Sequence, residues 1–359
     1  MAKTTEGNRT MTVKHKLALI GCGGMARSHV SRFEELMDRL EITAVVDIDI
    51  ERAKAVAELL PNDPVVSTDH RDALKVCDAV LLALPHHLHC EYTIDCLNAG
   101  KHVLAEKPLG NSEEECRKMI EAARRNNRTL MVAYCMRFHP LVVMMKDLIQ
   151  RKAYGRTFQL SIWTEQHTER EASNWMCRAD TLGGGQLFSH GCHYIDLMLW
   201  MMGKPVEGSH IGTNLCTPWM EREGTSNVSI RFEDGSCGYH FGTWGARGTK
   251  LGYSFQAHCE EGMLEIDYAK GQLLLHSRLE KHIPGVQENK NSVKVLLEAP
   301  GIKPTSIEMK HFLDCLETGA TPLTDAESSL EGLKVIWELY KAEDERKLAD
   351  LTGIINKFK

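Results

Sequence analysis

A short apolar run, KLALI at 16–20, leads directly into GCGGMA at 21–26, and an amphipathic stretch then continues to about Leu40. That order of strand, glycine turn and helix constrains the chain more than any other feature. In G-x-G-x-x-A, Gly21 permits the tight turn and Gly23 lets backbone approach a ligand, while the small Ala26 allows close helix–strand packing. The loop, with Gly24 and Met25 completing it, leaves N–H groups at a helix start free to hold a diphosphate. The same alternation continues in ITAVVD (42–47), ERAKAVAELL (51–60, stopped by Pro61), DAVLLAL (78–84), CEYTIDCLNAG (90–100), KHVLAE (101–106), a helix over 112–126 and TLMVAY (129–134). Apolar runs alternating with helices predict a parallel sheet covered on both faces.

Asp47 ends the second strand, where a carboxylate accepts hydrogen bonds from an adenosine ribose and repels a 2′-phosphate. The expected cofactor is therefore NAD, with NADP disfavoured. Asp49 suits the role of cap on the following helix.

After residue 150 the pattern changes. Strand-like runs at 156–165, 225–232, 237–244, 251–259, 262–268 and 271–276 are joined by EDGS, EEGM and AKGQ. Glycine-bearing turns between such runs predict hairpins, hence an antiparallel or mixed sheet. Helical stretches at about 305–318 and 324–342 follow. A chain of 359 residues is long enough for two cores.

Bulk properties exclude several classes. A formal charge of -6 leaves no excess cation for nucleic acid or an anionic membrane surface. Residues 1–13 are polar and lack the apolar core of a signal peptide, so a disordered tail is expected. No window approaches the roughly 18 apolar residues of a spanning helix. Twelve cysteines without CxxC spacing suggest reduced thiols and a cytoplasmic protein.

LPHHLHCEY (84–92), AGKHVLAEKPLG (99–110) and GGGQL…GCH…D (183–196), together with GCGGMA and Asp47, resemble the Gfo/Idh/MocA oxidoreductases, the glucose–fructose oxidoreductase and inositol dehydrogenase family. The resemblance runs from about residue 14 to 342. It implies an α/β Rossmann domain at 14–137 and an α+β domain at 138–359 with a large open, mostly antiparallel sheet. Helices near 305–342 are expected to pack back toward the first domain. One sheet face would serve a homo-oligomer, a dimer or tetramer. By the same resemblance Pro85, His86, His89 and Glu106 line the cofactor site. Pro108 rigidifies the turn leaving the fifth strand, and Lys107 brings a cation to the oxygen of a hydroxyl that loses hydride.

In GGGQLFSHGCHYID, residues three and four apart share a helix face, which groups Ser189, His193 and Asp196. The family usually carries Asp where Ser189 stands and its catalytic His at His193. The carboxylate that normally orients the imidazole is therefore missing, and Asp196 or Glu165 is expected to compensate. His190 and His193, at i,i+3, have the spacing of a chelating pair, but no Cys/His set completes it, so no metal is expected. Tyr134, Arg137, Glu165, His167, Trp175, Arg178, Ser189 and His190 are the candidate substrate contacts. The expected function is NAD-dependent oxidation of a secondary hydroxyl on a sugar, sugar derivative or cyclitol. An alternative is a glycosidase or lyase that oxidises, eliminates and re-reduces with one retained NAD. Another is a non-catalytic NAD- or sugar-sensing protein.

Overall fold

The computed structural model describes residues 14–278, 291–301 and 303–355, so the expected tail at 1–13 lies outside the described residues. Six parallel strands form the first sheet: β1 (His15–Ile20), β2 (Leu40–Val46), β3 (Val65–Ser67), β4 (Ala79–Leu82), β5 (His102–Ala105) and β6 (Leu130–Val132), in the order β3-β2-β1-β4-β5-β6. Strand order reverses between β1 and β4, which opens a crevice at the carboxyl ends of β1, β4 and β5. The helices α1 (Gly24–Val30), α2 (Ile50–Ala57), α3 (His70–Leu74), α4 (His89–Asn98) and α5 (Glu113–Arg125) flank it. Their starts follow capping chemistry. Asp49, Asp69 and Ser112 accept backbone N–H bonds at α2, α3 and α5. No side chain caps α1, which begins after Gly23.

The expected amphipathic stretch to Leu40 is shorter in the structure. Helix α1 ends at Val30, and a 3-10 turn occupies Glu34–Leu36 before β2. Phe33 is fully buried between the two. Anchoring that ring turns the chain back to the sheet sooner than a continuous helix allows.

Helix α6 (Pro140–Gln150), capped by His139 and started by Pro140, leads into the second domain. Its sheet comprises β7 (Thr157–Glu165), β8 (Pro205–Thr213), β9 (Thr225–Phe232), β10 (Cys237–Thr243), β11 (Tyr253–Cys259), β12 (Gly262–Asp267), β13 (Gln272–Arg278), β14 (Asn291–Glu298) and β15 (Ala349–Asp350). The order is β14-β13-β12-β11-β7-β10-β9-β8-β15, and among the described residues only β7 and β10 pair in parallel. Register aligns His210, Val228, His240, Ile162, Phe255, Ile266 and Leu273 in one buried row across the inner face. Against it packs α8 (Cys192–Met202), reached through the short α7 (Ala179–Leu182) and a π-helical turn at Leu187–Gly191.

Two helices return toward the first domain. Met309, Phe312 and Leu313 of α9 (Thr305–Thr318) join the core formed by β1 and β2. Each such burial contributes roughly 1.5–3 kcal/mol. Helix α10 (Ala326–Asp344) packs against α5, α8 and β8, touching both domains.

One buried ion pair fastens the junction. Arg137, in the 3-10 turn after β6, donates from Nε and Nη2 to the two Asp196 oxygens, both at 2.7 Å, and from Nη1 to the Leu323 carbonyl. Neither side chain meets water to any extent, at 0% and 3% exposure. The guanidinium also lies 5.1 Å from the Trp200 ring. Breaking a buried pair strands a charge, so Asp196→Ala is expected to destabilise by about 3–5 kcal/mol. A urea-unfolding midpoint equal to that of the parent protein contradicts this.

Candidate active site

At the end of β1, Gly21 has φ +90°, and a Cβ there collides with the Ala83 carbonyl oxygen, so only glycine lets β1 and β4 approach this closely. At Gly23 and Gly24 the opposite holds, since an added Cβ meets nothing within 4 Å. The loop thus leaves open space over the uncapped start of α1, with Met25 half-buried beside it and Ala26 packed inside. Asp47 is held by two backbone N–H donors, Cys22 to Oδ2 at 2.8 Å and Asp49 to Oδ1 at 2.9 Å. A carboxylate has about four acceptor positions, so two remain for ribose hydroxyls. The cradle fits a dinucleotide, whose diphosphate would lie over the glycine loop and whose adenosine ribose would meet Asp47.

The β4 and β5 ends build the next wall. His86 places Nδ1 2.8 Å from the Leu182 carbonyl and packs its ring edge-on against Trp175, 4.8 Å away. Burial, helped by the Lys107 charge, drives its pKa well below the ordinary histidine value. Glu106 is buried and accepts from His29 Nε2 at 2.8 Å. Burial pushes this carboxyl upward, but the His29 hydrogen bond and the neighbouring positive charges outweigh it and hold the pKa below its usual value. Lys107 extends into the crevice and donates to the Ser189 carbonyl at 2.7 Å.

Ser189 belongs to the π-helical turn, which Glu223 and Tyr340 brace from behind. Tyr340 Oη accepts from the Gly185 and Phe188 N–H groups and donates to Glu223, while Glu223 Oε1 accepts from Leu187 N. A Cβ at Gly185 collides with that carboxylate, which explains this glycine of the triple. One turn further, His193 is 8% exposed and its Nδ1 is buried with no hydrogen-bond partner among the described residues. Tyr134 packs edge-on against its ring at 5.6 Å. Burial, then the Lys107 charge, drives the His193 pKa well below the ordinary value, so the imidazole is neutral. His190 shares that shift and its leading causes. Its Nε2 lies 3.3 Å from Tyr253 Oη and 3.4 Å from Tyr194 Oη.

Several expected contacts lie elsewhere. Arg137 is spent on Asp196, which removes the arginine from substrate and the aspartate from His193. Glu165 accepts from the Leu251 and Gly252 N–H groups, fixing a loop, so neither expected carboxylate orients His193. His167 is exposed and bonded to Arg247, and Arg178 is exposed and paired with Asp180. Tyr134 keeps its hydroxyl with Ser329 and offers only its ring. His89 is buried with its nitrogens 2.7 Å and 3.0 Å from the Pro108 and Leu84 carbonyls, so it shapes the turn after Pro85 and has no polar atom free for cofactor. Ser189 contributes its carbonyl. Conversely, His29, Gln186 and Tyr253 join the site without any spacing signal to mark them. Gln186 Nε2 reaches 3.4 Å from His190 Nδ1. Among the described residues no group of three or more His, Cys, Asp or Glu is placed to hold a metal ion.

A glycine cradle at a switch point, with a lysine from the end of β5 facing neutral histidines carried by the second domain, defines a two-domain dinucleotide-dependent oxidoreductase. Residues 15–134 match the model of the oxidoreductase family with an NAD-binding Rossmann fold, and residues 142–265 match the GFO/IDH/MocA C-terminal domain. The chain belongs to the Gfo/Idh/MocA oxidoreductases, and its first domain binds NAD. It is 27% identical over 280 residues to an uncharacterized oxidoreductase of Streptococcus pneumoniae serotype 4, covering 74% of this chain and 75% of that one. Inositol 2-dehydrogenase 2 of Saccharopolyspora erythraea is 30% identical over 196 residues, 53% of this chain and 54% of the relative. The alignment thus spans about half of that protein. A levoglucosan dehydrogenase solved with NADH shares the fold at TM-score 0.82 and 21% identity, over 94% of this chain and 99% of the other.

Replacing the Asp47 carboxylate removes what repels a 2′-phosphate. Asp47→Ser is expected to lower the NAD-over-NADP binding ratio at least tenfold, read by fluorescence titration with NADH and NADPH. An unaltered ratio means that Asp47 only holds the loop.

Proposed function

We propose that this protein is an NAD-dependent dehydrogenase that oxidises a secondary hydroxyl of a sugar, sugar derivative or cyclitol. The observation that carries the reading is the meeting of Lys107 with the turn before α8, 2.7 Å from the Ser189 carbonyl, which sets a cation beside neutral His193. NAD, when bound, supplies the hydride acceptor. Lys107 stabilises the negative charge that grows on the substrate oxygen as hydride leaves. His193, held neutral by burial, takes the hydroxyl proton. Among the described residues no carboxylate stabilises its imidazolium, so its basicity is weaker than that of a carboxylate-backed histidine. His190, Tyr253 and Trp175 offer ring faces and polar tips suited to a polyhydroxylated ring. Similarity to proteins named for inositol and levoglucosan supports the substrate class.

The protein works, in this reading, as a homo-oligomer in the cytoplasm. Ile211, Asn227, Phe241 and Trp163 form a row on the outer sheet face, with Tyr239 edge-on to Trp163, and a second copy covers it. All twelve cysteines are free, which fits a reducing compartment. Among the described residues no helix is long and apolar enough to cross a membrane. Light scattering is expected to give at least twice the chain mass, and a monomer at micromolar concentration refutes the sheet-face assembly.

The decisive assay is a panel of polyols and glycosides with NAD. Net NADH formation with a polyol is the expected result. Glycoside cleavage without net NADH replaces this reading with the oxidise–eliminate–reduce cycle, and the absence of both turnover and hydride exchange leaves a sensor. Lys107→Ala is expected to lower kcat roughly 10²–10³-fold, and His193→Ala roughly 10²–10⁴-fold, with NADH affinity kept in both. Because His193 must be neutral to accept a proton, kcat/KM for oxidation rises with pH and levels off. The midpoint of that rise lies below 6.5, the ordinary histidine value. A rise centred above it contradicts His193 as the base.

A further inference from the structure

Lys303 stands on the segment that enters α9, exposed, with its Nζ 3.8 Å from the Met25 sulfur at the start of α1. Its charge also lowers the pKa of Glu106, Cys135, His190 and His193, on the side of the glycine loop that faces the candidate site. It forms no ion pair among the described residues, which distinguishes it from Lys310 seven residues later, paired with Asp314. A thioether is a poor hydrogen-bond acceptor, so this ammonium gives up almost nothing when a better one arrives. Lys107 differs again, because its ammonium already bonds a carbonyl.

We propose that Lys303, reaching from the second domain to the glycine loop, binds the diphosphate of the dinucleotide. A Cβ at Gly23 or Gly24 would meet nothing within 4 Å, and Lys303 brings a positive charge beside that open loop at Met25. The two lysines then divide the anionic oxygens. Lys107 serves the reacting one, and Lys303 the diphosphate, through a charge-assisted hydrogen bond. The backbone behind Lys303 is anchored, since the next helix buries Met309 and Phe312 in the first domain's core.

The proposal rests on NAD occupying the cradle, and its test separates the two. NADH, ADP and adenosine are titrated by calorimetry into the parent protein, Lys303→Met and Lys303→Arg at low and physiological salt. Lys303→Met is expected to raise Kd for NADH and for ADP roughly tenfold, to leave adenosine unchanged and to flatten the salt dependence. Lys303→Arg restores most of the affinity. Equal Kd values in the parent and Lys303→Met, or equal weakening for adenosine, overturn the role of the lysine. A parent protein that binds neither NADH nor ADP overturns the dinucleotide reading and the proposal with it. Unchanged circular dichroism and Tm, expected for an exposed side chain, show that the variants are folded.

Discussion

The rest of the structure depends on a guanidinium that water never reaches. Arg137 leaves the end of the first domain, grips Asp196 on α8 through two 2.7 Å bonds and reaches the Leu323 carbonyl before α10. Burying two charges costs about as much as their attraction returns, so such a pair adds little net stability. Its contribution is geometric. A bidentate pair tolerates only one relative placement of its two elements, and Asp196 sits one turn beyond His193 on the same helix. The imidazole is therefore positioned by a bond it does not itself make.

That arrangement explains how the site manages without the carboxylate its family usually keeps at the position of Ser189. Orientation comes from packing, with the Tyr134 ring against His193 and α8 pinned one turn further on by Arg137. What packing does not replace is charge. With Nδ1 unpartnered and Lys107 nearby, protonated His193 is disfavoured twice, by burial and by repulsion. The proposed mechanism is thereby weighted toward Lys107 as the main electrostatic contributor and toward histidine as a transient proton carrier.

Much of this was legible in the sequence because hydrophobic periodicity reports which face of an element is buried. The five apolar runs before residue 134 became five of the six parallel strands, and the turns EDGS, EEGM and AKGQ became hairpins of the second sheet. Strands β3, β8, β14 and β15 and helices α3, α6 and α7 escaped that reading. In β8, Gly208 and Gly212 interrupt the alternation, and the short apolar run of α6 carries no glycine turn to set it apart. The polar partnerships were less legible still. Arg137 and Asp196 are 59 residues apart, and His29 and Glu106 are 77 apart. Periodicity assigns such residues to a face without naming their partners, so Arg137 looked like a substrate ligand. The Glu-Lys-Pro segment was readable because its chemistry is local to one strand end. The π-helical turn was not, since its wider winding shows only in backbone geometry.

In the proposed mechanism, the bond between Lys107 and the Ser189 carbonyl turns substrate binding into an exchange. A neutral hydroxyl is no better an acceptor than the carbonyl it must displace, so the resting alcohol draws little affinity from the ammonium. An oxygen gaining negative charge outcompetes the carbonyl easily. In that mechanism the internal acceptor acts as a threshold, withholding the lysine from ground-state ligands and releasing it as charge develops, which concentrates its effect on rate rather than on affinity.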